Sequence, residues 1–207
     1  ADSVRTGDLH QNSELRVSAV EGIRTHQKVQ SARRPPYVAE QTIKARCRTE
    51  LGIIEIRGRM DGWVPAAGSI PPWIEEIKTT RRQGSAPDPS LIDPSLIDTY
   101  TAQLKLYAWM TALAEGAEHI NAQLTFIHPD SLLASPARFE WRIDELAQFA
   151  TTQLQAFVDR AMREEARRGQ RDRRLSTLAY PMAAFRPGQR ALASVAYKAI
   201  VDATHQT

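Results

Sequence analysis

One cysteine, Cys47, is all that the 207 residues contain, so the sequence excludes a disulfide framework and a multi-cysteine zinc or iron–sulfur site. No apolar run approaches the length of a membrane span, so no membrane partner is expected. The opening, ADSVRTGDLHQ, is too polar for a signal peptide, and a cytoplasmic protein is the expectation. Aromatic residues make up 7% of the chain and form no row of the kind that stacks single-stranded bases. No G-x-x-x-x-G-K-S/T stretch occurs, which excludes an ATP site of that kind in these residues. A strong excess of one charge is also missing. The formal net charge of +3 permits a polyanion partner without demanding one.

What is present is 42% hydrophobic residues, enough for the core of one sizeable domain. Ser18 to Gln30 is predicted as a helix, with Ser18 and Glu21 as a capping box and Ala19, Ile23 and His26 or Gln27 at helical spacing. From Tyr37 the period changes to two. Two strands turn near Glu50-Leu51-Gly52, and Val38, Ile43, Ala45 and Cys47 are expected on one buried face. WIEEIKTT, Trp73 to Thr80, is the third strand of an antiparallel series. Residues 83–98 hold a tandem repeat, DPSLI at 88–92 and again at 93–97, and read as a loop insertion. Thr99 to Glu115 is a helix with Leu106, Trp109, Met110 and Leu113 on its apolar face. Strands at 122–129 and 137–144 follow, then a helix from Asp144 to Arg168 and a charged, solvated stretch. Trp73 and Trp109 are expected in the core. The order predicts an α/β fold, a mixed central β-sheet flanked by α-helices.

The chemistry concentrates in WIEEIKTT, where Glu75, Glu76 and Lys78 sit inside an otherwise apolar strand. Buried charges need a partner or a metal. Strand alternation sets Glu76 and Lys78 on one face and Ile77 on the other, toward the core. Glu75 points away from Glu76 and is expected to pair with an arginine. Asp61 ends the preceding strand beside Gly62, where a turn can aim its carboxylate at the same spot. An Asp and a Glu can hold a hard divalent ion, and a Lys two residues on can orient water or balance developing charge. Glu-x-Lys alone is better described as a charged surface strand; GRMDG fifteen residues earlier and the strand–turn–strand context shift the balance. Arg81 and Arg82, with Thr79, are placed either to reach phosphates or to form a solvated basic turn.

GRMDGW, EEIKTT and QLKLYAW together resemble the PD-(D/E)XK nuclease superfamily, in particular its RecB-type exonuclease branch, over roughly Val17 to His128. The resemblance implies a restriction-endonuclease-like core in residues 1–170. It implies Mg2+ or Mn2+ held by His26, Asp61, Glu76 and the backbone carbonyl of Ile77, with Asp61, Glu76 and Lys78 catalytic. Gln103 and Tyr107 match the branch's Gln-x-x-x-Tyr and take a supporting or DNA-contacting role. Several relatives carry four cysteines for an iron–sulfur cluster; with Cys47 alone, the cluster-free subtype is implied. The stretch YPMAAFRPGQRALASVAYKAI resembles the segment that opens the motor of DinG-type helicases, where the counterpart of Gln189 contacts adenine. It implies that 171–207 is a linker and the start of a truncated helicase domain, in which Arg186 and Gln189 are idle, and that the partner is the C-terminal helicase of a longer protein. The expected activity is hydrolysis of single-stranded DNA or DNA ends in repair. A non-catalytic DNA-binding module and a structure-selective endonuclease on branched DNA stay open as alternatives.

Overall fold

Three strands in antiparallel series open the sheet, as their alternation predicts: β1 (Val38–Thr49), β2 (Gly52–Val64) and β3 (Trp73–Thr79). They are preceded by α1 (Ala19–Ala32) and followed by α2 (Pro94–Glu115), which crosses over to β4 (His119–Ile127), parallel to β3. β5 (Ala134–Arg142) returns antiparallel, and α3 (Ile143–Ser176) and α4 (Gln189–Thr204) complete the chain. The fold is α/β, a five-stranded mixed sheet in the order β1-β2-β3-β4-β5 with flanking helices. The computed structural model describes residues 17–81, 87–178 and 186–204; Arg82 and the YPMAAF stretch lie outside them. Two units are distinguished, Ala1–Arg160 and Ala161–Thr207, so the first ends within α3. Among the described residues no helix is long and apolar enough to cross a membrane.

The core lies between the sheet and α2, with the start of α3. Met60, Ile74, Leu104, Ala108, Met110, Ile120, Leu124 and Phe126 pack with Leu146 and Ala150. β4 is buried from Ala122 to Ile127, as expected of a strand paired on both sides. Trp109 is in the core, whereas Trp73 is half-buried against the Tyr37 ring.

Several expectations are corrected. The DPSLI repeat is not a plain loop. Each copy is the same helix start: Asp88 and Asp93 accept from the backbone N–H two residues on, at Ser90 and Ser95, with proline at the first turn. The first copy stops after one 3-10 turn, Pro89–Leu91, because Pro94 disfavours helical backbone before it; the second runs on as α2. Leu113 on α2 is 52% exposed, since the buried face turns through Ala108, Thr111 and Ala112. On α1 the inward residues are Thr25 and Gln30, and Ile23 is exposed. Ser18 caps α1 by accepting from the Glu21 N–H, while the Glu21 carboxylate pairs with Arg81. Ile43, Ala45 and Cys47 face inward as expected, but Val38 is exposed.

Val38 marks a break in alternation. Met60 reaches α2 through Thr111, and Trp63, three residues on, reaches α2 through a 2.6 Å bond to Glu115. Residues an odd number apart cannot share a face of a regular strand. The break falls at Glu40 and Asp61, which face each other without a ladder pairing, and Glu40 has φ 57°. The site is built there.

Candidate active site

β2 and β3 pair only from Gly62 to Val64 against Trp73 to Glu75, so the strands part at Asp61. In this fork the Asp61 side chain takes over from the ladder: its Oδ2 accepts from the Ile77 backbone N–H at 2.7 Å. Two further bonds fix its backbone, since the Asp61 carbonyl accepts from Gln30 Nε2 at 2.9 Å and from the Tyr37 hydroxyl at 3.2 Å. The glycines of GRMDG have a steric reason to flank this aspartate. A Cβ on Gly58 would lie 2.2 Å from the Tyr107 ring, and one on Gly62 would lie 2.1 Å from the Tyr37 hydroxyl.

The two glutamates of β3 diverge, as their adjacency requires. Glu75 is fully buried and accepts from Arg33 (2.5 Å), Thr125 (2.6 Å), Gln123 (3.1 Å) and Tyr37 (3.2 Å), which bears out its expected ion pair with an arginine. Burial and the neighbouring Glu75 carboxylate raise the Tyr37 pKa, so its hydroxyl stays a donor. Glu75 is therefore a structural charge, satisfied within the fold.

Glu76 is 4% exposed and turns toward α2. Its Oε1 accepts from Lys78 Nζ at 2.7 Å, and its Oε2 is buried with no hydrogen-bond partner among the described residues. Burial pushes the Glu76 carboxyl up to about 7, and the negative Asp61 adds to this against the pull of Lys78. Burial alone would lower the Lys78 pKa, but Glu76 raises it more, helped by Asp61, so the ammonium stays charged. Lys78 also donates to Gln103 Oε1 at 3.3 Å and lies 4.6 Å from the centre of the Tyr100 ring. Gln103 Nε2 in turn donates to the Tyr107 hydroxyl at 3.1 Å. His26, on α1, closes the other side with Nδ1 3.5 Å from Asp61 Oδ1.

His26, Asp61, Glu76, Ile77, Lys78, Gln103 and Tyr107 are thus joined in one connected set. Arg81 is not part of it, because its guanidinium is taken by Glu21 and Asp130 and straps α1 to the β4–β5 turn. The sequence reading missed Tyr100, Gln30 and the Gln123–Thr125 pair. Tyr100 was within reach of it, because Tyr100, Gln103 and Tyr107 recur at spacings of three and four on one helix face. Gln30, Gln123 and Thr125 carry no such signal, since their partners are distant in sequence.

Among the described residues no set of three or more His, Cys, Asp or Glu converges as a finished metal cage. Each carboxylate of the fork has instead one oxygen occupied and one left: Asp61 Oδ1 beside His26, and the unpartnered Glu76 Oε2. A buried carboxylate oxygen without a donor costs about 1–3 kcal/mol, which a cation would offset. One or two carboxylates with room for water and phosphate is the donor set Mg2+ takes, and an added imidazole suits Mn2+. The residues fit such an ion.

No family model matches the chain, and no curated protein matches it. Among solved structures, the "Crystal structure of SSO0001" is similar at 20% identity over 68% of this chain and 61% of that one, with a TM-score of 0.44. The chain thus spans less than two thirds of the length of that protein.

Proposed function

We propose that the chain is a divalent-metal-dependent deoxyribonuclease of the PD-(D/E)XK type, hydrolysing phosphodiester bonds in single-stranded DNA or at DNA ends. The observation that carries this reading is the asymmetry of the two adjacent glutamates. Glu75 has four donors, while Glu76, also buried, has one lysine and an oxygen with no partner among the described residues. A strand that needed only a structural charge would satisfy both.

Asp61 and Glu76 would hold Mg2+ or Mn2+, with His26 and the Ile77 carbonyl completing the protein's share. Held there, the ion supplies charge stabilisation at the scissile phosphate and lowers the pKa of its water. The chain's own residues do the rest. Ile77 N–H fixes one Asp61 oxygen and so aims the other. Lys78, kept protonated by Glu76, presents a positive donor to developing negative charge. Gln103, braced by Tyr107, fixes the ammonium in place. The segment from Arg186 through α4, similar to the entry of a helicase motor, supports a role beside such a motor in DNA repair.

The test is cleavage of end-labelled single- and double-stranded DNA with Mn2+, Mg2+ or EDTA, comparing wild type with Asp61→Ala and Lys78→Ala. Cutting that needs the metal and falls at least about 100-fold in both variants is the expected result. Absence of cutting by the wild type under every metal, with DNA binding intact, would leave a binding module and overturn the proposal.

A further inference from the structure

The exposed face of the β1–β2 ribbon carries charge that the site does not use. Lys44, Arg46 and Arg48 lie on the outward side of β1, and Arg57 and Arg59 on the outward side of β2. Glu55 pairs with Arg46 and Arg57, and Glu40 pairs with Arg59. Five cations against these two carboxylates leave a surplus of three on the outward face. Glu50 at the turn and Asp61 at the fork bring the whole ribbon to a net charge of +1, so the surplus is a property of this one face.

Two features argue that the surplus has a partner. Lys44 stands directly opposite Arg57 in the ladder, a like-charge pair that costs stability. Among the described residues neither Lys44 nor Arg48 has an ion-pair partner, although Ile53, which faces Arg48, is a position where a glutamate would neutralise it. The outward positions 42, 44, 46, 48, 53, 55, 57 and 59 include no aromatic residue. A face that held unstacked bases would need rings to stack them; a face of cations without rings suits phosphates presented from outside a duplex. Alternate residues of a strand lie about 6.6 Å apart, so Arg59 and Arg57 stand about 7 and 13 Å along β2 from Asp61, where the break in alternation turns the carboxylate into the fork.

We infer that this ribbon is a second binding surface, gripping the sugar–phosphate backbone of duplex DNA beside the fork and directing one strand into it. The inference rests on the nuclease reading for what happens in the fork, but its binding term is independent of cutting. The test uses the full chain in EDTA, with fluorescence anisotropy of a labelled duplex and of the same sequence as a single strand over a range of salt. The variant is Lys44→Glu with Arg48→Glu. The expected result is a loss of duplex affinity of about tenfold or more and a salt slope shallower by about 2, since each phosphate contact contributes about 0.9 to that slope. Thermal stability should hold or rise, because Lys44→Glu relieves the pair with Arg57. Hydrolysis of bis-p-nitrophenyl phosphate with Mn2+, too small to touch the ribbon, should be unchanged in this variant and lost in Asp61→Asn. Unchanged duplex affinity and slope would overturn the ribbon, as would an equal loss for the single strand. Small-ester hydrolysis that survives Asp61→Asn would overturn the nuclease reading instead.

Discussion

Replacing Glu75 by alanine tests whether the buried network, rather than the apolar core alone, holds β3 to its neighbours. The magnitude follows from what each donor loses. The Arg33 side chain is 37% exposed, so its freed guanidinium regains water and costs little. The Tyr37 hydroxyl keeps the Asp61 carbonyl, and Gln123 keeps Thr125, as partners. The Thr125 hydroxyl, 1% exposed, still accepts from Gln123 but loses the acceptor of its own 2.6 Å bond, leaving a buried O–H donor unpaired at a cost of about 1–3 kcal/mol. The vacated side chain adds a small cavity. The total is about 3 kcal/mol, the lower end of the range for breaking a buried charge pair. Urea unfolding followed by tryptophan fluorescence at pH 7 reads this as a midpoint lower by about 1 M with an unchanged slope. A loss below about 1 kcal/mol would refute the reasoning and return Glu75 to the status of a tolerated charge.

Glu76 gives a prediction in pH. Its folded pKa of about 7 lies above its ordinary 4.5, so the folded state binds the extra proton and stability falls as pH rises between those values. Without divalent ion, the protein should lose on the order of 1–3 kcal/mol from pH 4.5 to 8 through this group; calorimetry with millimolar Mn2+ at pH 8 should recover it, and no recovery would count against metal binding. Gly58→Ala drives a methyl into the Tyr107 ring and should cost about 1–3 kcal/mol while lowering cleavage through Gln103 and Lys78; full activity at wild-type stability would contradict that packing. Asp93→Ala removes the N-cap of α2 and should cost about 1 kcal/mol in thermal unfolding, whereas Asp88→Ala, capping a single turn, should cost less; equal losses would show the two caps to be equivalent.

The sheet was legible because its signals are local. Strand alternation in β1 and β2, and an apolar run bounded by proline and threonine in β3, survive without knowledge of neighbours. The opposite facing of Glu75 and Glu76 follows from the pleat alone, and so did the ion pair of Glu75, although not the identity of Arg33, which is 42 positions away. The break at Asp61 was hidden because it shows only when Met60 and Trp63 are both seen against α2. The polar inward face of α1 ran against the rule that a helix buries its apolar side; Gln30 is turned in by Glu40 and the Asp61 carbonyl, contacts 10 and 31 positions distant. The DPSLI repeat misled for a different reason. Asp, Pro and Ser mark turns and helix starts alike, and only the continuation after Ile97 distinguishes one from the other.

The central claim, that adjacent carboxylates hold opposite roles, is tested most directly by comparing Glu75→Gln with Glu76→Gln for stability at pH 8 without metal and for Mn2+-dependent DNA cleavage. The account predicts that Glu75→Gln loses about 1–2 kcal/mol and still cuts, while Glu76→Gln is as stable as wild type or more so and does not cut. Cleavage surviving in Glu76→Gln, or stability lost there and spared in Glu75→Gln, would contradict it.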